Sequence, residues 1–172
     1  DPTLFRYEAE SIMKQLPVVL NWSQDGGLLT ALERCNNNGA CLKSDPGVMC
    51  PSYRVTRDER HSTRGRANAL RLAMTGRLGE TGLGDDGVFD TLDLCLECRA
   101  CKAECPVGVD MARFKSEFLA DYYGRHGTPL RARVLGRIHE LSAWASPFAR
   151  LLNPWLTSSW VRAVNEHLLG LD

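Results

Sequence analysis

Leu94-Cys95-Leu96-Glu97-Cys98-Arg99-Ala100-Cys101-Lys102-Ala103-Glu104-Cys105-Pro106 decides how this chain is read, because it sets four thiols within eleven positions and closes them with proline. Three cysteines spaced two residues apart on a tight turn can reach three corners of one [4Fe-4S] cubane. The proline breaks the helix that would otherwise carry Cys105 away. In two-cluster proteins the thiolate at this fourth place ligates the other cluster, so the spacing predicts a partner group elsewhere.

Cys35, Cys41 and Cys50-Pro51 supply that group and end in the same Cys-Pro. Asn38 stands where a second ligand would fall, and eight residues separate Cys41 from Cys50, so this group is one thiolate short. Crossing the fourth ligands assigns Cys95, Cys98, Cys101 and Cys50 to one [4Fe-4S] cluster and leaves Cys35, Cys41 and Cys105. Three thiolates suit a [3Fe-4S] cluster, or a [4Fe-4S] cluster whose last iron takes Asn38, water or another oxygen or nitrogen ligand. The remaining arrangement has no second cluster: Cys105 stays uncrossed on the first, and Cys35, Cys41 and Cys50 are buried thiols. Structural zinc is the rival metal and would make the chain an interaction module. Zinc sites usually join two separated pairs, however, whereas four thiols in one short run ending in Cys-Pro are the iron-sulfur arrangement.

Bulk properties agree. A chain of 172 residues can bury a core without disulfide staples. Its seven cysteines are odd in number and grouped, and no basic-then-apolar leader opens the chain, so a disulfide framework is not expected. A reducing compartment, the cytoplasm, is expected instead, with the inner face of a membrane as the place where a peripheral protein would sit. Lysine plus arginine balance aspartate plus glutamate at 21 each, leaving no net field for nucleic acid. Apolar runs such as Leu16 to Leu20 fall far short of the roughly 20 residues of a transmembrane helix. The chain opens at Asp1 and ends within a helix-rich stretch, as expected of a segment from a longer polypeptide.

Strand signals are nearly absent, and helical ones recur, so the fold class is all-α. Thr63 is the expected cap of a helix that carries Ala67, Leu70 and Met74 on one face and ends near Gly76. Asp85 to Leu94 reads as a short helix with Val88, Leu92 and Cys95 aligned. Val109 to Tyr123 reads as another, striped by Met111, Phe114, Phe118 and Leu119. Leu130 to Trp144 and Leu156 to Leu169 complete the set. Gly79 to Gly87 spells Gly82-x-Gly84-x-x-Gly87, the letters of a dinucleotide fingerprint, but no strand precedes it and Asp85 and Asp86 would repel a pyrophosphate; a flexible loop is expected.

Gly39, Gly47 and Gly108 lie beside cysteines, where they either admit backbone N–H groups to sulfur or simply make turns. Arg54, Arg57, Arg60, His61, Arg64, Arg66 and Arg71 form a basic stretch interrupted by Asp58 and Glu59. It is expected to be a solvated helix face or charge compensation for the cluster rather than a nucleic-acid surface. His61, His126, His139 and His167 lack metal-site spacing and are expected at the surface or at helix caps. Trp144, Phe148, Leu152, Trp155 and Trp160 give the tail an apolar face for core packing or for docking onto an adjoining domain.

The Cys35-to-Cys41 group with Met49-Cys50-Pro51-Ser52, the segment Thr56-Arg57-Asp58-Glu59-Arg60-His61-Ser62-Thr63-Arg64-Gly65-Arg66-Ala67, and the run from Leu94 to Pro106 together resemble one family. It is the iron-sulfur region of large FAD-dependent D-2-hydroxyacid dehydrogenases, which act on D-2-hydroxyglutarate or D-lactate. The resemblance spans residues 29–153. It implies an FAD-binding oxidase domain before this region in the same polypeptide and a cysteine-rich domain after it. It also implies a hydride taken by FAD, with the clusters passing electrons singly to a quinone or carrier protein. The α-helical ferredoxin domain of succinate dehydrogenase iron-sulfur subunits is similar too. That likeness implies a [3Fe-4S] cluster on Cys35, Cys41 and Cys105, although the eight-residue gap before Cys50 departs from the usual three.

The expected organisation is a linker or helical segment over 1–28, an α-helical ferredoxin-like domain over 29–128 and a helical extension over 129–172. The expected role is an electron-transfer module of a flavin-linked D-2-hydroxyacid dehydrogenase, with no catalytic residue of its own. The alternative is a separate iron-sulfur subunit of a quinone-linked or heterodisulfide-type oxidoreductase.

Overall fold

The computed structural model describes residues 18–44, 47–78 and 82–170, and these are helical, with no strand among them. Most of the expected 1–28 segment and residues 79–81 of the glycine-rich loop lie outside the described residues. Contacts divide the chain into two units, one extending to Arg125 and one beginning at His126.

In the first unit, α1 (Leu28–Glu33) delivers Cys35 and α2 (Pro51–Thr56) starts directly after Cys50. The longer α3 (Thr63–Met74) buries Ala67, Leu70, Ala73 and Met74. Its cap is Ser62 rather than Thr63, since the Ser62 hydroxyl accepts the Gly65 N–H at 3.0 Å. Gly65 itself is required by close approach: a Cβ there would collide with the Glu59 carbonyl oxygen and the Arg60 backbone. Gly65→Ala is expected to cost about 2 kcal/mol, typical of overpacking, and to lower the thermal midpoint of the cluster-free and cluster-loaded protein alike.

Residues Gly82–Gly84 form a 3-10 turn with Gly82 and Leu83 buried, so this part of the glycine-rich stretch is packed, and it leads into α4 (Asp86–Asp93). Asp85 caps α4 by accepting from Gly87 and Val88, a task for its carboxylate unrelated to a nucleotide. Val88 and Leu92 are buried as the period requires, while Cys95 lies beyond the helix. Then come α5 (Ala100–Glu104) and α6 (Met111–His126). Met111, Phe114 and Phe118 of α6 enter the core, and Leu119 packs against it half-buried.

α6 also fixes the incoming chain. Trp22 stacks on Phe114 with centroids 5.2 Å apart, and the Arg113 guanidinium lies 3.9 Å over the Trp22 ring. The buried Glu117 carboxylate accepts the Trp22 Nε1–H at 2.9 Å and the N–H groups of Val19 and Leu20. The Cys35, Cys41, Cys50 and Cys101 side chains belong to the same core, beside Leu32, Met49, Leu92 and Val109.

The second unit departs from expectation in its helix boundaries. The single helix expected over Leu130 to Trp144 is two, α7 (Leu130–Gly136) and α8 (Ile138–Ala145), joined at Arg137 after Gly136, whose lack of a Cβ weakens helix continuity. Past Pro147 come α9 (Ala149–Leu156), which holds Pro154 within its last turn, and α10 (Ser159–Leu169). Trp144, Phe148, Trp155 and Trp160 are exposed in this unit, so they do not form its core. No helix among the described residues is long and apolar enough to cross a membrane.

Candidate metal centre

The backbone around the cysteines is held in conformations that L residues avoid. Among the described residues, the non-glycine residues with positive φ are Asn37, Cys50, Arg57, Glu97 and Arg99, and all except Arg57 are a cysteine or lie within two residues of one. Each such residue costs on the order of 1–3 kcal/mol, and strain of this kind gathers where function demands a geometry. Here it folds the Cys95–Cys101 loop and the Cys50 corner toward each other.

The product is a cleft that Cys50, Cys95, Cys98 and Cys101 line together with Thr63, Arg66 and Met111. Cys50 and Cys101 are buried, Cys95 is half-buried and Cys98 is exposed. No cysteine of the seven is in a disulfide. Among the described residues, no three His, Cys, Asp or Glu side chains close on a single-ion position.

Backbone amides at two helix starts serve the sulfurs. The Thr63 N–H donates to Cys50 Sγ at 3.0 Å, with Thr63 Oγ1 only 2.9 Å from the same sulfur. The next amide, Arg64 N–H, donates to Cys41 Sγ at 3.3 Å, and at the start of α6 the Met111 N–H donates to Cys101 Sγ at 3.4 Å. Helix-start amides have no partner within the helix, so they are free to serve an anionic sulfur. The glycines beside the cysteines act differently. At Gly47 (φ +113) a Cβ would strike the Glu104 carboxylate, and Gly39 approaches Arg64.

Glu104 ties the two cysteine groups at their ends. Its carboxylate accepts from Val48 N–H at 2.6 Å and Met49 N–H at 3.3 Å and pairs with Lys43 Nζ at 2.7 Å. The Lys43 contact, then the Val48 amide, pull its carboxyl down to about 2. Cys105 is the next residue and packs against the core that contains Cys41 and Cys50. It is half-buried, and its N–H is bonded to the Cys101 carbonyl.

Cys35 lies buried at the end of α1, with its thiol 3.8 Å from Asn37 Oδ1. Asn38 is exposed, and its side-chain oxygen already accepts the Ala40 N–H at 3.0 Å.

The basic stretch divides in two. Arg57 and Arg60 are exposed, but Arg66 and Arg71 are each only 2% exposed, which overturns the solvated-face expectation for them. Arg66 lines the cleft, donating to the Thr91 carbonyl at 3.1 Å and to Ser52 Oγ at 2.9 Å. Arg71 donates to the carbonyls of Leu32 and Cys35. Lys115 from α6 donates to the carbonyls of Asp93 and Cys95 at 3.0 and 2.8 Å. His61 is buried rather than at the surface, with Nδ1 3.0 Å from Thr56 Oγ1; His139 and His167 are exposed.

Burial pushes the Cys101 thiol up to about 11 and raises Cys50 as well, against the opposing hydrogen bonds from Met111 and Thr63. The donor set fits an iron-sulfur cluster: soft thiols around one cleft, amides aimed at sulfur, and buried cations able to offset an anionic cubane.

The comparisons with known proteins agree with this chemistry. Residues 31–109 match the 4Fe-4S dicluster domain family. A D-2-hydroxyglutarate dehydrogenase of Pseudomonas putida is 30% identical over 169 residues, covering 80% of this chain and 17% of the relative. One of Escherichia coli is 25% identical, covering 92% of this chain and 18% of the relative. A Bacillus subtilis protein named "Probable glycolate oxidase iron-sulfur subunit" is 35% identical over 135 residues, covering 77% of this chain and 28% of the relative. The chain thus spans less than a third of the length of each of these relatives. No solved structure matches it significantly. Residues 31–109 are thus similar to the 4Fe-4S dicluster domain family, and most of the chain is similar to a part of the D-2-hydroxyglutarate dehydrogenases.

Proposed function

We propose that this segment is the electron relay of a flavin-linked D-2-hydroxyacid dehydrogenase, with Cys50, Cys95, Cys98 and Cys101 holding a [4Fe-4S] cluster and Cys35, Cys41 and Cys105 holding a second. The observation that carries the reading is the shared cleft: a cysteine from the first group stands with three of the second, as crossed ligation requires. The Glu104 clamp supports the complementary half, since it ties the residue before Cys105 to Val48 and Met49 of the first cysteine group. With its oxygen engaged and its side chain exposed, Asn38 is assigned to shaping the loop, which favours a three-thiolate second cluster.

When bound, such clusters accept and release single electrons without making or breaking bonds to substrate. The chemistry upstream is hydride removal from the hydroxyacid by an FAD held in a neighbouring domain. Its two electrons then leave singly through this segment to a quinone or carrier protein, and two protons go to solvent or to the acceptor. The chain's own part is to insulate, position and charge-balance. Arg66 and Lys115 set cations beside the first thiol set, the helix-start amides hold the sulfurs, and the exposed Cys98 offers the shortest way out to a partner.

The Bacillus subtilis relative favours a second reading, a separate iron-sulfur subunit that receives electrons from a flavoprotein partner. Iron and acid-labile sulfide counts on anaerobically purified intact protein, with electron paramagnetic resonance of the oxidised and reduced forms, test the common core of both readings. Seven irons with a [3Fe-4S] signal, or eight without one, are expected by cluster stoichiometry, on the order of two clusters per chain. Protein that carries zinc and no sulfide would overturn the relay.

A further inference from the structure

We infer that Thr63 sets the reduction potential of the cluster that includes Cys50, and that the Thr63 backbone links the two clusters. The inference rests on the proposed ligation by Cys50 and Cys41 and extends it to a residue that is not a ligand.

Thr63 is only 2% exposed, and its N–H and hydroxyl both lie within 3.0 Å of one sulfur. In the free chain either the Cys50 thiol or the Thr63 hydroxyl can donate across this contact. A ligating sulfur has no proton, so ligation leaves the hydroxyl as the donor and gives Cys50 two hydrogen bonds from one residue. Such bonds stabilise the more negative, reduced state and raise the potential. The adjoining Arg64 N–H donates to Cys41 Sγ. Consecutive amides of one helix start therefore contact sulfurs assigned to different clusters, and the Arg64 guanidinium continues toward the Asn37 carbonyl. An electron crossing between clusters lowers one by a single charge as it raises the other, with no bond broken. The Thr63 backbone, between those two amide nitrogens, is the covalent stretch next to both sulfurs.

The test is a redox titration of the intact, anaerobically purified protein, followed by electron paramagnetic resonance, comparing wild type, Thr63→Val and Thr63→Ser. Valine keeps the shape and removes only the hydroxyl. The reduced-to-oxidised ratio of one cluster at fixed ambient potential should fall about three- to tenfold, a tenfold change being about 59 mV for one electron, while the other cluster moves much less. Serine should restore the wild-type value. Unmoved potentials with normal iron, equal shifts of both clusters, or failure of serine to restore would each overturn the role of Thr63. A wild-type protein lacking iron would instead overturn the ligation itself, and iron for one cluster only would remove the link. Should the valine variant not assemble, pulsed resonance of wild type in D2O decides: the cluster of Cys50 and Cys101 should couple to more exchangeable deuterons, from the Thr63 amide and hydroxyl and the Met111 amide, than the other cluster, which has the Arg64 amide, and equal coupling at both refutes the assignment.

Discussion

Cys98→Ser is expected to strip iron from the protein and to stop electron delivery to the acceptor, while reduction of the flavin by hydroxyacid continues at the wild-type rate. Changes in the outer shell of a metal site already cost roughly 10–100-fold in affinity, so loss of a thiolate ligand should exceed that range. Cys98 separates the two halves of the reaction because it is exposed and outside the core, unlike Cys50 and Cys101. Its substitution removes a ligand without opening a cavity, and the helical fold should persist with unchanged far-ultraviolet circular dichroism. Rapid mixing of the intact protein with substrate, followed first by flavin bleaching and then by acceptor reduction, reads the two halves independently. Acceptor turnover equal to wild type alongside normal flavin bleaching would mean that electrons leave by a route that does not need this centre.

The parts of the site that were legible in the sequence are those encoded over short distances. Thiol spacing within residues 95–105, the Cys-Pro endings and the apolar period of α6 are all local, and they predicted the all-helical body; the crossing of Cys50 to the second group is the proposal that the shared cleft supports. The sulfur donors were not legible. Thr63 and Arg64 reach Cys50 and Cys41 across 13 and 23 residues, and nothing in a stretch rich in arginine distinguishes an amide that faces sulfur from one that caps a turn. The one available hint was Ser62-Thr63: two hydroxyl residues at a helix start, of which the first satisfies the cap and leaves the second free for another partner.

Which arginines of the basic stretch are buried, Arg66 and Arg71, was not legible for a related reason. Arginine is seldom fully buried unless paired, and their partners are carbonyls of distant segments rather than carboxylates that a charge pattern would reveal. Helix limits in the second unit failed at Gly136, where a break costs little and an uninterrupted apolar pattern gives no warning.

Arg71→Met should cost about 3 kcal/mol or more, because it leaves two buried carbonyls, those of Leu32 and Cys35, without their charged donor. Methionine fills much of the arginine stem's volume, so the loss falls on hydrogen bonding rather than on packing. The native guanidinium is not fully satisfied either. Among the described residues its Nε has no hydrogen-bond partner while the terminal nitrogens reach Asn68 and the two carbonyls, so the residue is kept for what those contacts hold in place. What they hold is the end of α1 and the backbone of Cys35. Arg66, five residues earlier on the same helix, lines the cleft of the other thiol set and is untouched by the change. The two sites should therefore come apart in the variant: the cluster assigned to Cys35, Cys41 and Cys105 is lost first, while the one assigned to Cys50, Cys95, Cys98 and Cys101 remains. Iron counts should fall by the share of one cluster, with one resonance signal surviving and the thermal midpoint lowered. Loss of both signals in parallel would mean that the two centres assemble as a single cooperative unit, and that Arg71 supports the whole helical frame rather than one corner of it.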